Sequence, residues 1–196
     1  RATDSRVVRL GTAYTPAPGH TFLVSAINED SDDKTVIGTT GASVATEAEI
    51  ERNAAEGQYI SSGSYGRILA GGGYLRQDRT DTLTTDLSLF GPFPPVVDTN
   101  QSDARQASAY WYNFVPWRYG EWILGVDYAN MDLDDGETLN EFNPKLGLVY
   151  KPLPGTALRL AALRTLKTLY ANNQTLAPTQ VAGFNQLYDN SEGSKA

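Results

Sequence analysis

Apolar and polar residues alternate with a period of two along most of this chain. In residues 120–131, Trp122, Leu124, Val126 and Tyr128 alternate with Glu121, Ile123, Gly125, Asp127 and Ala129. An extended strand produces this pattern, because its successive side chains point to opposite faces. Similar segments, rich in Tyr, Trp and Val and bounded by Pro, Gly, Asn and Asp, recur from end to end. They predict eight strands, at residues 5–15, 20–29, 50–61, 65–78, 103–115, 120–131, 142–151 and 156–167. A helical period is nearly absent: ATEAEIERNAA at residues 45–55 would give a short polar helix with almost no stripe to bury. The fold class is therefore all-β, in a single unit spanning residues 1–196.

The predicted connections alternate in length. Four are tight: Thr15 to His20, Ser61 to Tyr65, Val115 to Gly120 and Lys151 to Thr156. Between them lie longer ones near residues 30–49, 79–102 and 132–141. In an antiparallel up-and-down meander every second connection lies at the same end, so the tight turns share one rim and the long loops the other. Transmembrane β-barrels of the outer membrane show this asymmetry, with short periplasmic turns and longer outer loops. A hairpin unit also recurs. Ala13-Tyr-Thr-Pro-Ala-Pro-Gly-His-Thr-Phe22 parallels Val149-Tyr-Lys-Pro-Leu-Pro-Gly-Thr-Ala-Leu158, and Asn113 to Trp122 is a looser copy. Its prolines sit where no ladder N–H is needed.

Strands 120–131 and 142–151 each have one face without charge, and the other strands follow less cleanly. In 142–151 that face carries Phe142, Pro144, Leu146, Leu148 and Tyr150, with rings near both ends and aliphatic residues between. Lipid-facing strands place aromatics at the two interfaces in this way. Extended to the other strands, the same reading makes Tyr14, Phe22, Tyr74, Tyr112, Phe114, Trp122, Tyr128, Phe142 and Tyr150 the membrane-interface aromatics. In strand 103–115 it places Tyr110, Tyr112 and Phe114 outside and Trp111 inside. Strand 50–61, charged and poor in aliphatics, fits worst and reads as projecting beyond the membrane or as loop. The opposite faces carry Arg9, Arg67, Asp127, Lys145 and Arg159, which become candidate pore-lining residues that would bias a channel toward anions or pair across a filled interior.

Composition narrows the classes. With 16 Lys plus Arg against 23 Asp plus Glu, the net charge of −7 disfavours nucleic acid. The absence of Cys excludes disulfides and thiolate chemistry, and no apolar run reaches the roughly 18 residues of a helical span. The chain opens on Arg1-Ala2 rather than on Met and reads as a mature or excised chain. Catalytic signals are missing: His20 reads as a solvated turn residue, and Ser64 in Gly63-Ser-Tyr-Gly66 lacks the nucleophile-elbow spacing. Gly71-Gly-Gly73 has no following Lys-Ser or Lys-Thr, so close backbone approach or strand curvature explains it better than a phosphate loop. The acidic clusters at 29–33 and 132–137 read as solvated loop acids rather than calcium ligands, and Gly91-Pro-Phe-Pro-Pro95 as an extended outer loop. No cofactor and no metal site is expected.

The run from Phe142 to Thr165, with Gln174 to Gln186 after it, resembles the late barrel hairpins of TonB-dependent outer-membrane receptors and related large barrels, some linked to tetratricopeptide repeats. The resemblance implies uptake or export across a bacterial outer membrane, with outer-membrane lipid and a small solute or surface ligand as partners. It also implies that Gln174 to Gln186 leads from an outer loop to a next strand. Nothing in the chain resembles a receptor plug or a TonB box, and a receptor barrel needs more strands than this length supplies. The chain thus reads as a complete barrel of about eight strands or as a piece of a larger barrel or assembly. Two alternatives stay open: a soluble all-β module that binds ligand or partner through its aromatic faces, and a purely structural outer-membrane anchor.

Overall fold

The computed structural model of the chain describes residues 2–39, 42–86, 91, 94–134, 138–164 and 175–185. Its organising element is one antiparallel sheet of eight strands, paired in chain order as a simple meander. The strands are β1 (Ala2–Ala17), β2 (His20–Thr39), β3 (Ala42–Gly63), β4 (Gly66–Asp86), β5 (Val96–Trp117), β6 (Gly120–Leu133), β7 (Thr138–Tyr150) and β8 (Leu158–Leu163). A small hairpin, β9 (Gln180–Val181) with β10 (Phe184–Asn185), follows. The sheet is open, with β1 and β8 as its edges.

The tight turns fall where the sequence puts them, all at one end of the meander. Pro18-Gly19, Ser64-Tyr65 and Arg118-Tyr119 are two-residue turns, followed in the latter two by glycines at φ 128° and 156°. The register is staggered. His20 pairs with Ser61, two residues short of the turn-end pair Gly63 and Gly66, and Arg67 pairs with Phe114, three short of Trp117 at the next turn. The turns therefore step steadily along the sheet, as they must when strands are tilted in a curling wall.

The long connections are a correction. β2 runs to Thr39 and β3 begins at Ala42, so residues 30–39 and 42–49 are strand rather than loop, and the candidate helix at 45–55 lies wholly within β3. β4 and β5 likewise take up 79–86 and 96–102. The acidic cluster at 29–33 accordingly pairs with β1 from Val7 to Thr3 instead of capping a loop. These stretches are poor in aliphatic and aromatic residues, and their strand character comes from ladder continuity and cross-strand partners. Lys34 forms an ion pair with Glu47 opposite it, and Thr3 donates to Asp33 at 2.9 Å. The Gly91 to Pro95 segment and the acidic cluster at 132–137 lie partly outside the described residues.

Every buried residue of the large sheet falls on one face, called inner here. It carries Ser25, Ile27, Glu29, Glu56, Gln58, Leu75, Gln106, Tyr110, Tyr112, Phe114, Ile123, Asn143 and Lys145, all less than 9% exposed. Strand pairing brings these parities together: Tyr112 lies opposite Leu69 on one side and Gly125 on the other, and Gly125 lies opposite Lys145. Glycines on this face make room for rings. A Cβ on Gly71 would come within 2.5 Å of the Tyr110 hydroxyl oxygen, and one on Gly125 within 2.6 Å of the Tyr112 ring. Close approach is thus the reason for glycine at Gly71, and at Gly72, where an added Cβ would come within 2.5 Å of the Ser108 carbonyl oxygen.

Gly125→Ala should therefore lower stability by about 1–3 kcal/mol in urea titrations, the usual cost of overpacking. Gly63→Ala, where an added Cβ meets nothing within 4 Å, should leave the midpoint almost unchanged.

Candidate functional site

The two faces of the sheet differ in kind, and the candidate site is the inner wall. All five candidate pore-lining residues are on this face. Arg9 Nε donates to Ser25 Oγ at 3.0 Å. The Arg67 guanidinium carbon sits 4.3 Å from the centroid of the Phe114 ring. Lys145 forms an ion pair with Asp127, and its ammonium lies 5.7 Å from the Tyr112 ring centroid. Asn143 Nδ2 donates to the other Asp127 oxygen at 3.0 Å. Arg159 packs against Gly183 of the β9–β10 turn, where a Cβ would meet its Nη1 at 2.7 Å. Four of the five thus meet an opposite charge, a hydroxyl or a ring on a neighbouring strand of the same face.

Two of the interface aromatics are a correction. Tyr112 and Phe114 are 1% and 8% exposed, on the inner face with Lys145, while Trp111 faces outward at 40%. Reading Tyr110, Tyr112 and Phe114 as outward put the most apolar parity of this strand toward lipid. The register instead pairs Phe114 with Arg67 and Ile123, and Gly71 and Gly125 open the inner face to the rings. The other seven aromatics are on the outer face. Tyr14, Phe22, Tyr74, Trp122, Tyr128 and Phe142 are 41–66% exposed, and Tyr150 is partly covered.

The outer face is uncharged across its middle on all eight strands. Leu10 lies opposite Ala26, and Ala26 opposite Ala55. Trp111 lies between Ala70 and Val126, and Leu146 between Leu124 and Ala162. Toward the turns, rings form a row: Phe22 is 4.9 Å from Tyr59, His20 stacks on Tyr59, and Trp117 stacks on Tyr150 at 5.7 Å. His20 Nδ1 is also 2.7 Å from the Tyr59 hydroxyl, so the histidine belongs to this aromatic margin. At the far margin stand Tyr74, Tyr128 and Phe142, the last two directly opposite each other. Immediately beyond comes a polar row: Asn28 donates to Asn53 at 3.1 Å, Asn130 to Asn140 at 2.8 Å, and Arg76 lies opposite Arg105.

Phe142 to Tyr150 are the two ends of this band on β7. Their eight steps correspond to about 26 Å along the strand, or about 20 Å along an axis at the usual tilt, close to the ~25 Å apolar belt of membrane barrels.

The sequence reading missed the inner-wall residues of β3. Glu56 is 4% and Gln58 7% exposed, and both contact the segment after β8. The signal was in the strand itself: Ala55, Gly57 and Tyr59 form an uncharged parity opposite Glu56 and Gln58. Arg52, on the same face, donates to Glu29 on β2 at 3.1 Å. Residues 175–185 also differ from expectation. They do not lead outward toward another strand but lie against the inner wall, with Val181 and Ala182 0% and 4% exposed in a cluster with Tyr110, Tyr112, Phe114 and Ile123. Among the described residues, no group of three or more His, Asp and Glu is placed to hold a metal ion.

Comparison of the chain with protein-family models, curated proteins and solved structures finds no match.

Removing the Lys145 ammonium leaves the partly buried Asp127 carboxylate with the Asn143 amide but without its ion-pair partner. Lys145→Met should cost about 3 kcal/mol in urea titrations. Adding Asp127→Asn in the same chain should recover a large part of that loss, which a double-mutant cycle measures.

Proposed function

We propose that the chain forms the wall, or part of the wall, of a β-barrel in a bacterial outer membrane, and that the barrel serves as a conduit or receptor for solute passage without chemistry of its own. The observation that carries this reading is the outer face: exposed, uncharged over its middle on eight neighbouring strands, and edged by aromatic rows. In water such a continuous apolar surface demands a covering. Among the described residues nothing lies over it. Hydrocarbon would cover it at no polar cost, because each inner strand satisfies its backbone groups through the ladders on both sides. Closure would then come from β1 meeting β8 or from further strands. Beyond the polar row, β4 continues from Arg76 to Asp86, ten residues that run about 33 Å along the strand and at the same tilt would project about 25 Å past the belt. The polar, ion-paired inner wall would face the lumen, with outer-membrane lipid as the partner of the other face.

The three tryptophans provide the test, since all are on outer-face positions: Trp111 in mid-band, Trp117 and Trp122 near the turn margin. In vesicles with bromines placed at different depths along the acyl chains, single-tryptophan variants should separate. Trp111 should be quenched most by deep bromines, and Trp117 and Trp122 by shallow ones. Equal, weak quenching at all depths would leave the outer face in water or protein and remove the membrane reading.

A further inference from the structure

The segment after β8 crosses the inner wall sideways. At one end Glu56 Oε1 accepts the Thr175 hydroxyl at 2.5 Å, and Glu56 Oε2 accepts the Leu176 backbone N–H at 2.7 Å. Gln58 Nε2 donates to the Leu176 carbonyl oxygen at 2.6 Å and to the Tyr110 hydroxyl at 3.0 Å. A carboxylate and an amide, two residues apart on one face of β3, thus hold both backbone groups of Leu176. At the other end, Val181 and Ala182 fill the space over Gly147, where an added Cβ would come within 2.9 Å of Val181 Cγ1, and Gly183 rests on Arg159 of β8. From β3 to β8 is five strand spacings, up to about 24 Å along the wall. That is close to the reach of the eight residues from Leu176 to Gly183 when extended. The segment therefore lies across the strands, the direction in which a short peptide obstructs a lumen most.

Among the described residues the segment joins no ladder of the large sheet. Contacts with wall side chains hold it, among them the three latch hydrogen bonds and the packing of Val181 and Ala182, and the β9–β10 turn keeps Ala182 at φ 52°, a left-handed conformation costly for any residue with a Cβ. Elements outside the main ladders come from the low-stability end of a structure and open locally while the rest stays folded. We propose that residues 175–183 are a displaceable strap, latched by Glu56 and Gln58, that closes the lumen and opens it on release. The proposal rests on the conduit reading above.

The chain has no cysteine, so Val181→Cys places a single thiol in the strap itself, buried against the wall while the strap is closed. In vesicle-reconstituted protein a charged maleimide should label it slowly. Adding Glu56→Gln removes a charge-assisted latch, and labelling should speed up by roughly tenfold or more. Thr175→Val, which introduces no change in the wall itself, should act in the same direction. Efflux of a charged fluorescent solute from the vesicles should rise with both substitutions. Labelling unchanged by both overturns the strap as a latched element, and faster labelling without faster efflux overturns its gating role. Tryptophan depth quenching on the same samples separates the two levels: normal quenching with unchanged labelling sinks the strap alone, whereas lost quenching sinks the conduit.

Discussion

A strand cannot choose its faces one residue at a time. Once the ladder register is set, every side chain goes to one side or the other, and a slip of one residue would exchange the two faces along the whole strand. This constraint governs the fold. On β7, Asn143, Lys145 and Gly147 are buried while Phe142, Pro144 and Leu146 between them are exposed. The buried parity is the polar one and the exposed parity is the apolar one, the reverse of a water-soluble sheet. Lys145, Glu56 and Asn143 are buried and Asp127 is half-buried, while Leu124, Leu146 and Leu160 stay exposed; in the proposed reading it is hydrocarbon, not water, that meets this outer face.

The inner wall solves the problem that this inversion creates. Its polar groups need partners, so Lys145 meets Asp127, Arg52 meets Glu29, and Gln58 joins Tyr110 to the strap. Large rings need volume, and glycines on neighbouring strands provide it. Tyr112 shows both effects: its ring enters the space beside Gly125 and carries the Lys145 ammonium above it. Packing and charge pairing thus act on the same few side chains, and the strap completes the cover with Val181 and Ala182 rather than with a second layer of sheet.

Much of this was legible in the sequence where the pattern is strong. The eight strands of the large sheet, the all-β class, the four tight turns and the outer parities of β1, β2, β4, β6, β7 and β8 follow from alternation and from Pro and Gly placement. The register supplied what a single strand cannot. For Tyr110, Tyr112 and Phe114 both parities are apolar, since Trp111 and Val115 alternate with them, and only the pairing with Gly71, Gly125 and Lys145 assigns the side. The polar halves of β2 to β5 were misread because their many Asp, Asn, Glu and Lys residues have low strand propensity, which ladder continuity overrides. The contacts of Thr175 and Leu176 with Glu56 and Gln58 join residues about 120 apart in sequence, a separation no local pattern encodes.

The most direct measurement is a solvent map of one strand. Spin labels placed singly on cysteines at positions 121 to 129 of β6, in vesicle-reconstituted protein, report collisions with oxygen, which favours lipid, and with a chelated nickel complex, which stays in water. The account predicts a period of two, with oxygen maxima at Trp122, Leu124, Val126 and Tyr128 and minima between. Nickel maxima at those four positions, or no alternation at all, would contradict it.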